Sequence, residues 1–215
     1  MIFRDREEAA QRLVEKLQEY RGRNPLVLAI PRGAAPMGKI LADELDGELD
    51  IVLVRKLGAP GNPEYAIGAV DETGAVTLRP ADWYEHVPES YVDAEVGRQL
   101  ARLRERRRRY TPAHAPVDPR GRIVIVVDEG IATGATLRAA LTLVRRQRPE
   151  RLIAALGVAP RESLEDIEVL ADEVVCLATP SPFFSVGQFY GDFHAIDDDE
   201  VIAVLRSRAG VLHDQ

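Results

Sequence analysis

Two adjacent carboxylates, Asp128 and Glu129, end an apolar run, Ile123-Val124-Ile125-Val126-Val127. A short stretch later the chain reads Thr133-Gly134-Ala135-Thr136. A strand ending in two acids and followed by a brief loop into a helix would bring three kinds of group together. The helix N-terminus offers unpaired amides and the positive end of its dipole, which suits phosphate. Gly134 lets a ligand approach the backbone, and the hydroxyls of Thr133 and Thr136 add donors. The acids repel phosphate, but they accept hydrogen bonds from sugar hydroxyls and can hold Mg²⁺. Together these groups point to a sugar phosphate. The plainer alternative is a solvated acidic turn with a threonine helix cap.

Basic residues stand at two further strand ends. Ile30-Pro31-Arg32-Gly33 closes an apolar run that starts at Pro25. Arg32 can fork onto phosphate oxygens, and Gly33 permits an unusual backbone. Val54-Arg55-Lys56 leads into residues 55–61, which are punctuated by Gly58, Pro60 and Gly61 and read as a loop. A plain strand–helix turn and a solvated surface loop are the bland alternatives. Gly33 to Lys39 also fits the first part of a G-x-x-x-x-G-K nucleotide loop, which makes a P-loop ATPase a rival. Against that rival, Ile40 stands where a metal-binding hydroxyl is needed, and Pro36 removes an N–H from the cradle.

Periodicity supplies the elements that must position these residues. Helices are expected at 5–21, 35–46, 88–110, 134–146, 162–170 and 197–206, the first opened by an Asp5/Glu8 capping box. Strands are expected at 25–30, 50–54, 122–127, 152–158 and 174–177, with a hairpin of 65–70 and 75–78. Residues 111–119 and 180–193 read as irregular. Short strands, apolar on both faces and alternating with helices, predict an α/β fold: a doubly wound, mainly parallel sheet with helices on both faces. Ligands of such sheets bind beyond the C-terminal strand ends, where the loops at 31–38, 55–64, 128–136 and 178–193 gather. The expectation is one domain over 1–215, with a core at about 25–177 and a small hood from about 178–193 joined by the terminal helices.

Composition narrows the partners. The chain has 215 residues, 35 acidic and 28 basic, for a net charge of −7. A general nucleic-acid binder would lean the other way, so no nucleic acid is expected. The arginine-rich run at 102–109 reads as a solvated or subunit-contacting helix face. One cysteine, Cys176, excludes an internal disulfide and a thiolate-rich metal site. No apolar run reaches about 18 residues, and the first residues form no signal-peptide core. A cytoplasmic protein with no membrane partner is the expectation.

The strand with its paired acids and Thr133-Gly134-Ala135-Thr136 resembles the phosphoribosyl-diphosphate (PRPP) motif of the type I phosphoribosyltransferases. The likeness extends over about 25–193 and includes a group of these proteins whose acceptor is unassigned. It implies a Rossmann-like core with a hood. The implied reaction is transfer of the 5-phosphoribosyl group from PRPP to a small nitrogen acceptor, with Mg²⁺ as cofactor and diphosphate released. By this resemblance Asp128 and Glu129 hold the ribose hydroxyls, while Ala132, Thr133, Gly134, Ala135 and Thr136 cradle the 5′-phosphate. Arg32 and Gly33 bind diphosphate, and Arg55 and Lys56 meet it from a closing loop, so Lys56, Asp128 and Glu129 form the catalytic set. The segment 183–193 is similar to the hood of hypoxanthine-guanine enzymes, with one residue inserted. That likeness places Phe184, Val186 and Asp192 at the acceptor, and makes Asp128 and Asp192 the metal candidates. Two departures turn the reading away from 6-oxopurines. Ala132 replaces an acid before Thr-Gly, and Val158-Ala159-Pro160-Arg161 lacks a lysine. A non-catalytic PRPP-sensing regulator and the P-loop ATPase stay as alternatives, and a homodimer stays open.

Overall fold

The computed structural model describes residues 2–79, 86–112 and 115–206. Five strands form an all-parallel sheet: β1 (Leu26–Ala29), β2 (Glu48–Ile51), β6 (Ile123–Gly130), β7 (Arg151–Val158) and β8 (Glu173–Ala178), in the order β2-β1-β6-β7-β8. Three more strands, β3 (Val54–Ala59), β4 (Asn62–Asp71) and β5 (Val76–Leu78), form a separate antiparallel sheet. The helices are α1 (Arg6–Lys16), α2 (Ala35–Glu44), α3 (Glu89–Tyr110), α4 (Ala135–Arg146), α5 (Arg161–Glu168) and α6 (Asp198–Arg206).

Strand alternation divides the interior in two. Val27, Ala29, Ile125, Val127 and Ile153 share one core with Leu13 of α1, Leu41 of α2, Leu103 of α3 and Leu205 of α6. Leu26, Leu28, Val124, Val126 and Leu152 share the other with Leu141 of α4 and Ile167 of α5. The parallel sheet is therefore covered by helices on both faces, as the sequence predicts. Register then sets the site. Ala29 pairs with Val127 and the Ile30 amide donates to the Val127 carbonyl at 3.1 Å, so the loop after β1 runs beside the end of β6. No helix among the described residues is long and apolar enough to cross a membrane.

Residues 55–61 are not the expected loop. Leu57 is fully buried and pairs with Gly68, while Gly58 sits at a register shift. Pro60 and Gly61 make the tight turn of a β3–β4 hairpin, with Gly61 at φ +72°. The punctuating residues mark a bulge and a turn inside a hairpin rather than the absence of a strand. The arginine run also divides. Arg107 is buried, donating to Asp50, Glu72 and the Ile51 carbonyl, and so ties α3 to β2 and to the β4–β5 turn. The N-terminus zips onto the segment after β8: Ile2 and Phe3 amides donate to the Phe189 carbonyl at 2.8 and 2.9 Å, and the Gly191 amide returns to Phe3. The capping box forms at α1, with Asp5 accepting from the Glu8 amide at 2.8 Å and Glu8 accepting from the Arg4 amide rather than that of Asp5.

Candidate active site

β6 carries Asp128 and Glu129 to the C-terminal edge of the sheet, and residues 131–134 turn directly into α4. Gly134 is the N-cap residue at φ +68°, a conformation that side chains resist. No side chain caps α4, which leaves its first amides to a ligand or solvent. Ala132, Thr133 and Thr136 are exposed around it, and Ala135 is half-buried.

The two acids differ in their surroundings. Glu129 is nearly buried, and its Oε1 accepts from Arg6 of α1 through Nη2 at 2.8 Å and Nε at 3.2 Å. Burial pushes the Glu129 carboxyl up, and the Arg6 guanidinium pulls it back. On its other side Oε2 lies so close to Gly33 that a methyl group there would fall 1.6 Å away. Among the described residues, Asp128 has no such cation. Burial, then the charge of Glu129, push its carboxyl up to about 8, although the Gly130 and Glu129 amides donate to it.

Behind these acids stands a wall contributed by the chain ends. The Arg6 guanidinium lies 4.2 Å over the Phe193 ring, and Phe193 stacks on Tyr190 at 5.0 Å. The Tyr190 hydroxyl donates to the Glu129 carbonyl at 2.6 Å. Gly157 of β7 makes the room, since a methyl there would sit 2.2 Å from that hydroxyl. Val186 packs on Gly130, whose absent side chain would lie 3.0 Å from Val186 Cγ1.

Arg32 and Gly33 occupy the loop after β1, where the Pro31–Arg32 peptide is cis. Arg32 is half-exposed, with Nη1 3.9 Å from Asp198. Arg55 and Lys56 lie on β3 and line an open pocket of about 320 Å³ with Gly58, Gln99, Arg102 and Thr136. Burial and the charges of Arg102 and Arg106 push the Arg55 guanidinium down.

The phosphoribosyl transferase domain model matches residues 2–192. The chain belongs to this family. A Mycobacterium tuberculosis H37Rv protein named "Putative phosphoribosyl transferase Rv0571c" is 38% identical over 205 residues, which cover 95% of this chain and 46% of that protein. The chain thus spans about half the length of the curated relatives it matches. The crystal structure of TT1426 from Thermus thermophilus is similar at 42% identity and a TM-score of 0.87, covering 96% of this chain and 99% of that one.

Within the phosphoribosyl transferase domain, the geometry sorts the residues singled out in the sequence. Asp128, Glu129, Arg32, Gly33 and the 132–136 turn gather at the ends of β1 and β6. Arg55 and Lys56 approach through Thr136. In the hood only Val186 of the three named residues packs on the strand ends. Phe184 is 82% exposed, and Asp192 pairs with His194 Nδ1 at 3.0 Å, its amide bound to the Arg4 carbonyl. The rival nucleotide loop has no cradle. Lys39 lies within α2 and pairs with Asp43, and Gly38 lets α2 pack on Ala29, where a methyl would be 2.8 Å away.

Asp128 also suits a divalent cation. It is a half-buried carboxylate raised by burial, beside a second acid that Arg6 already neutralises. Among the described residues no three His, Cys, Asp or Glu side chains cluster as a cage. Mg²⁺ is usually held by one or two carboxylates together with water and substrate phosphates. The sequence reading missed Arg6, Tyr190, Phe193 and Gly157. One weak signal existed for Arg6: it is a cation in the first turn of a helix, where the dipole favours acids.

Proposed function

We propose that this domain binds PRPP with Mg²⁺ and transfers the phosphoribosyl group to a nitrogen nucleophile, with release of diphosphate. One observation carries the reading: β6 ends in the adjacent carboxyls of Asp128 and Glu129, only the second of them paired with Arg6, one short turn before the uncapped N-terminus of α4, and burial raises Asp128. An acid in that state is relieved by hydroxyl donors or a divalent cation, and the helix end beside it suits a phosphate. A sugar phosphate supplies the hydroxyls and the phosphate together.

In this reading the amides from Gly134 onward and the hydroxyls of Thr133 and Thr136 hold the 5′-phosphate. Asp128 accepts from a ribose hydroxyl, and Glu129, held by Arg6, presents Oε2 beside Gly33. Mg²⁺, when bound at Asp128, supplies charge neutralisation to the leaving diphosphate. Arg32, Arg55 and Lys56 add to that neutralisation as the C1′–O bond breaks and negative charge collects on diphosphate. The acceptor is proposed to be a nitrogen compound other than a 6-oxopurine, since Ala132 supplies no acid and residues 158–161 no lysine. The setting proposed is the cytoplasm, where such small molecules are found.

Titration calorimetry with PRPP and Mg²⁺, beside a diphosphate-release screen over nucleobases and other nitrogen nucleophiles, tests this. Asp128→Ala is expected to abolish PRPP binding, and unchanged affinity would overturn the site. PRPP binding without release on any acceptor would overturn the enzyme and favour a PRPP sensor.

A further inference from the structure

We infer that Arg102 and Arg106 of α3 are diphosphate-binding residues, forming with Arg55 and Arg32 a wall of four guanidinium groups for the leaving group. The inference rests on the PRPP reading above and extends it to a helix outside the PRPP motif. Arg102 and Arg106 are one helical turn apart, so they share a face of α3. Arg102 lines the 320 Å³ pocket with Arg55, Lys56 and Thr136, the last of which belongs to the 5′-phosphate turn. Arg106 connects this pocket to the loop after β1. Its guanidinium lies 5.8 Å over the Tyr110 ring, the Tyr110 hydroxyl donates to Asp198 at 2.6 Å, and Arg32 stands 3.9 Å from the same carboxylate.

Among the described residues, the nearby acids are already engaged. Glu95 lines the pocket but already accepts from Arg98 at 2.6 Å and from Gln99 at 2.7 Å. Asp198 accepts from Arg109 at 2.7 Å and from the Tyr110 hydroxyl at 2.6 Å, leaving Arg32 at 3.9 Å. Guanidinium groups gathered from α3, β3 and the β1 loop, with the nearby acids of the described residues already engaged, suit a compact, multiply charged anion, and forked phosphate recognition is what arginine does best. A diphosphate carries more charge than a monoester phosphate, so it gains more from such a group of cations.

The test is calorimetry on the full chain with magnesium diphosphate and, separately, ribose 5-phosphate. Arg102→Gln and Arg106→Gln are each expected to weaken diphosphate roughly 10- to 100-fold, and to leave ribose 5-phosphate within about twofold. Arg104→Gln, on the exposed side of the same helix, is the control and should change neither. Arg102 is exposed, so its variant reports binding without a folding defect. Unchanged diphosphate affinity in both variants, or an equal loss for both ligands, overturns the inference. A wild-type protein that binds neither diphosphate nor PRPP overturns the PRPP reading as well.

Discussion

Replacing Arg6 by methionine isolates what holds the second acid in place. The Arg6 side chain is 8% exposed and that of Glu129 15%, and two hydrogen bonds of 2.8 and 3.2 Å join them. Removing one partner of such a buried pair costs about 3–5 kcal/mol, because the other charge is left uncompensated. Glu129 can escape that cost by taking up a proton. Burial already raises its carboxyl and Arg6 is the named group that lowers it, so the variant raises it further. A carboxyl whose folded pKa lies above its unfolded value loses stability as pH climbs from the unfolded value through the folded one. The damage of Arg6→Met is therefore smaller in acid, where Glu129 escapes the cost by taking up a proton, and full in alkali. In acid only packing and the stacking on Phe193 are lost, about 1–2 kcal/mol.

The assay is thermal unfolding of both proteins without magnesium at about pH 4 and about pH 8.5, below and well above the usual Glu value of about 4.3. The alkaline excess of about 2–3 kcal/mol corresponds to an additional Tm loss of roughly 4–12 °C for a chain of this size. Glu129→Gln in the Arg6→Met background should abolish the pH-dependent part, since an amide needs no counter-ion. Equal Tm losses at the two pH values, or a pH-dependent loss that survives Glu129→Gln, would refute the assignment of Arg6 as the neutraliser of Glu129.

Two further outcomes follow from the same geometry. Gly33→Ala places a methyl 1.6 Å from Glu129 Oε2, so the carboxylate or the β1 loop must shift; the expected cost is about 1–3 kcal/mol in unfolding experiments, together with weakened PRPP binding. Asp128→Asn removes a group whose folded pKa of about 8 lies above its ordinary 3.8. The wild type should therefore lose stability relative to the variant as pH rises from about 4 through about 8, and a Tm difference that stays flat with pH would contradict the strongly raised carboxyl.

The parallel core was legible because each buried strand shows both of its faces in the sequence. Val124 and Val126 serve one core while Ile125 and Val127 serve the other, which a continuous apolar run announces. β3 was hidden because Gly58, Pro60 and Gly61 speak the same local language in a loop and in a bulged hairpin. Only the burial of Leu57 opposite Gly68 separates the two, and that is a tertiary fact. Arg107 had a readable signal. Gln99, Leu103, Arg107 and Tyr110 are buried at spacings of four, four and three, so the arginine falls on the inward stripe of its helix. Arg6 had almost none, because its partner lies 123 residues away.

The acid pair looks symmetric as a motif and is not symmetric as chemistry. Both carboxylates are pushed up by burial, but a cation from α1 reaches only Glu129. Glu129 is thereby tied to the hood through Arg6 and Phe193 and to the β1 loop through Gly33, while Asp128 has no such cation among the described residues and is held toward its protonated form. Mg²⁺ binding at Asp128 must displace the proton that burial favours there. A ligand that reaches Glu129 must compete with Arg6. Mg²⁺ affinity should therefore rise with pH up to about 8 through Asp128. Glu129 should act mainly by fixing the relative positions of the hood, the β1 loop and the end of β6, so its loss should disturb the geometry of the bound complex more than its affinity.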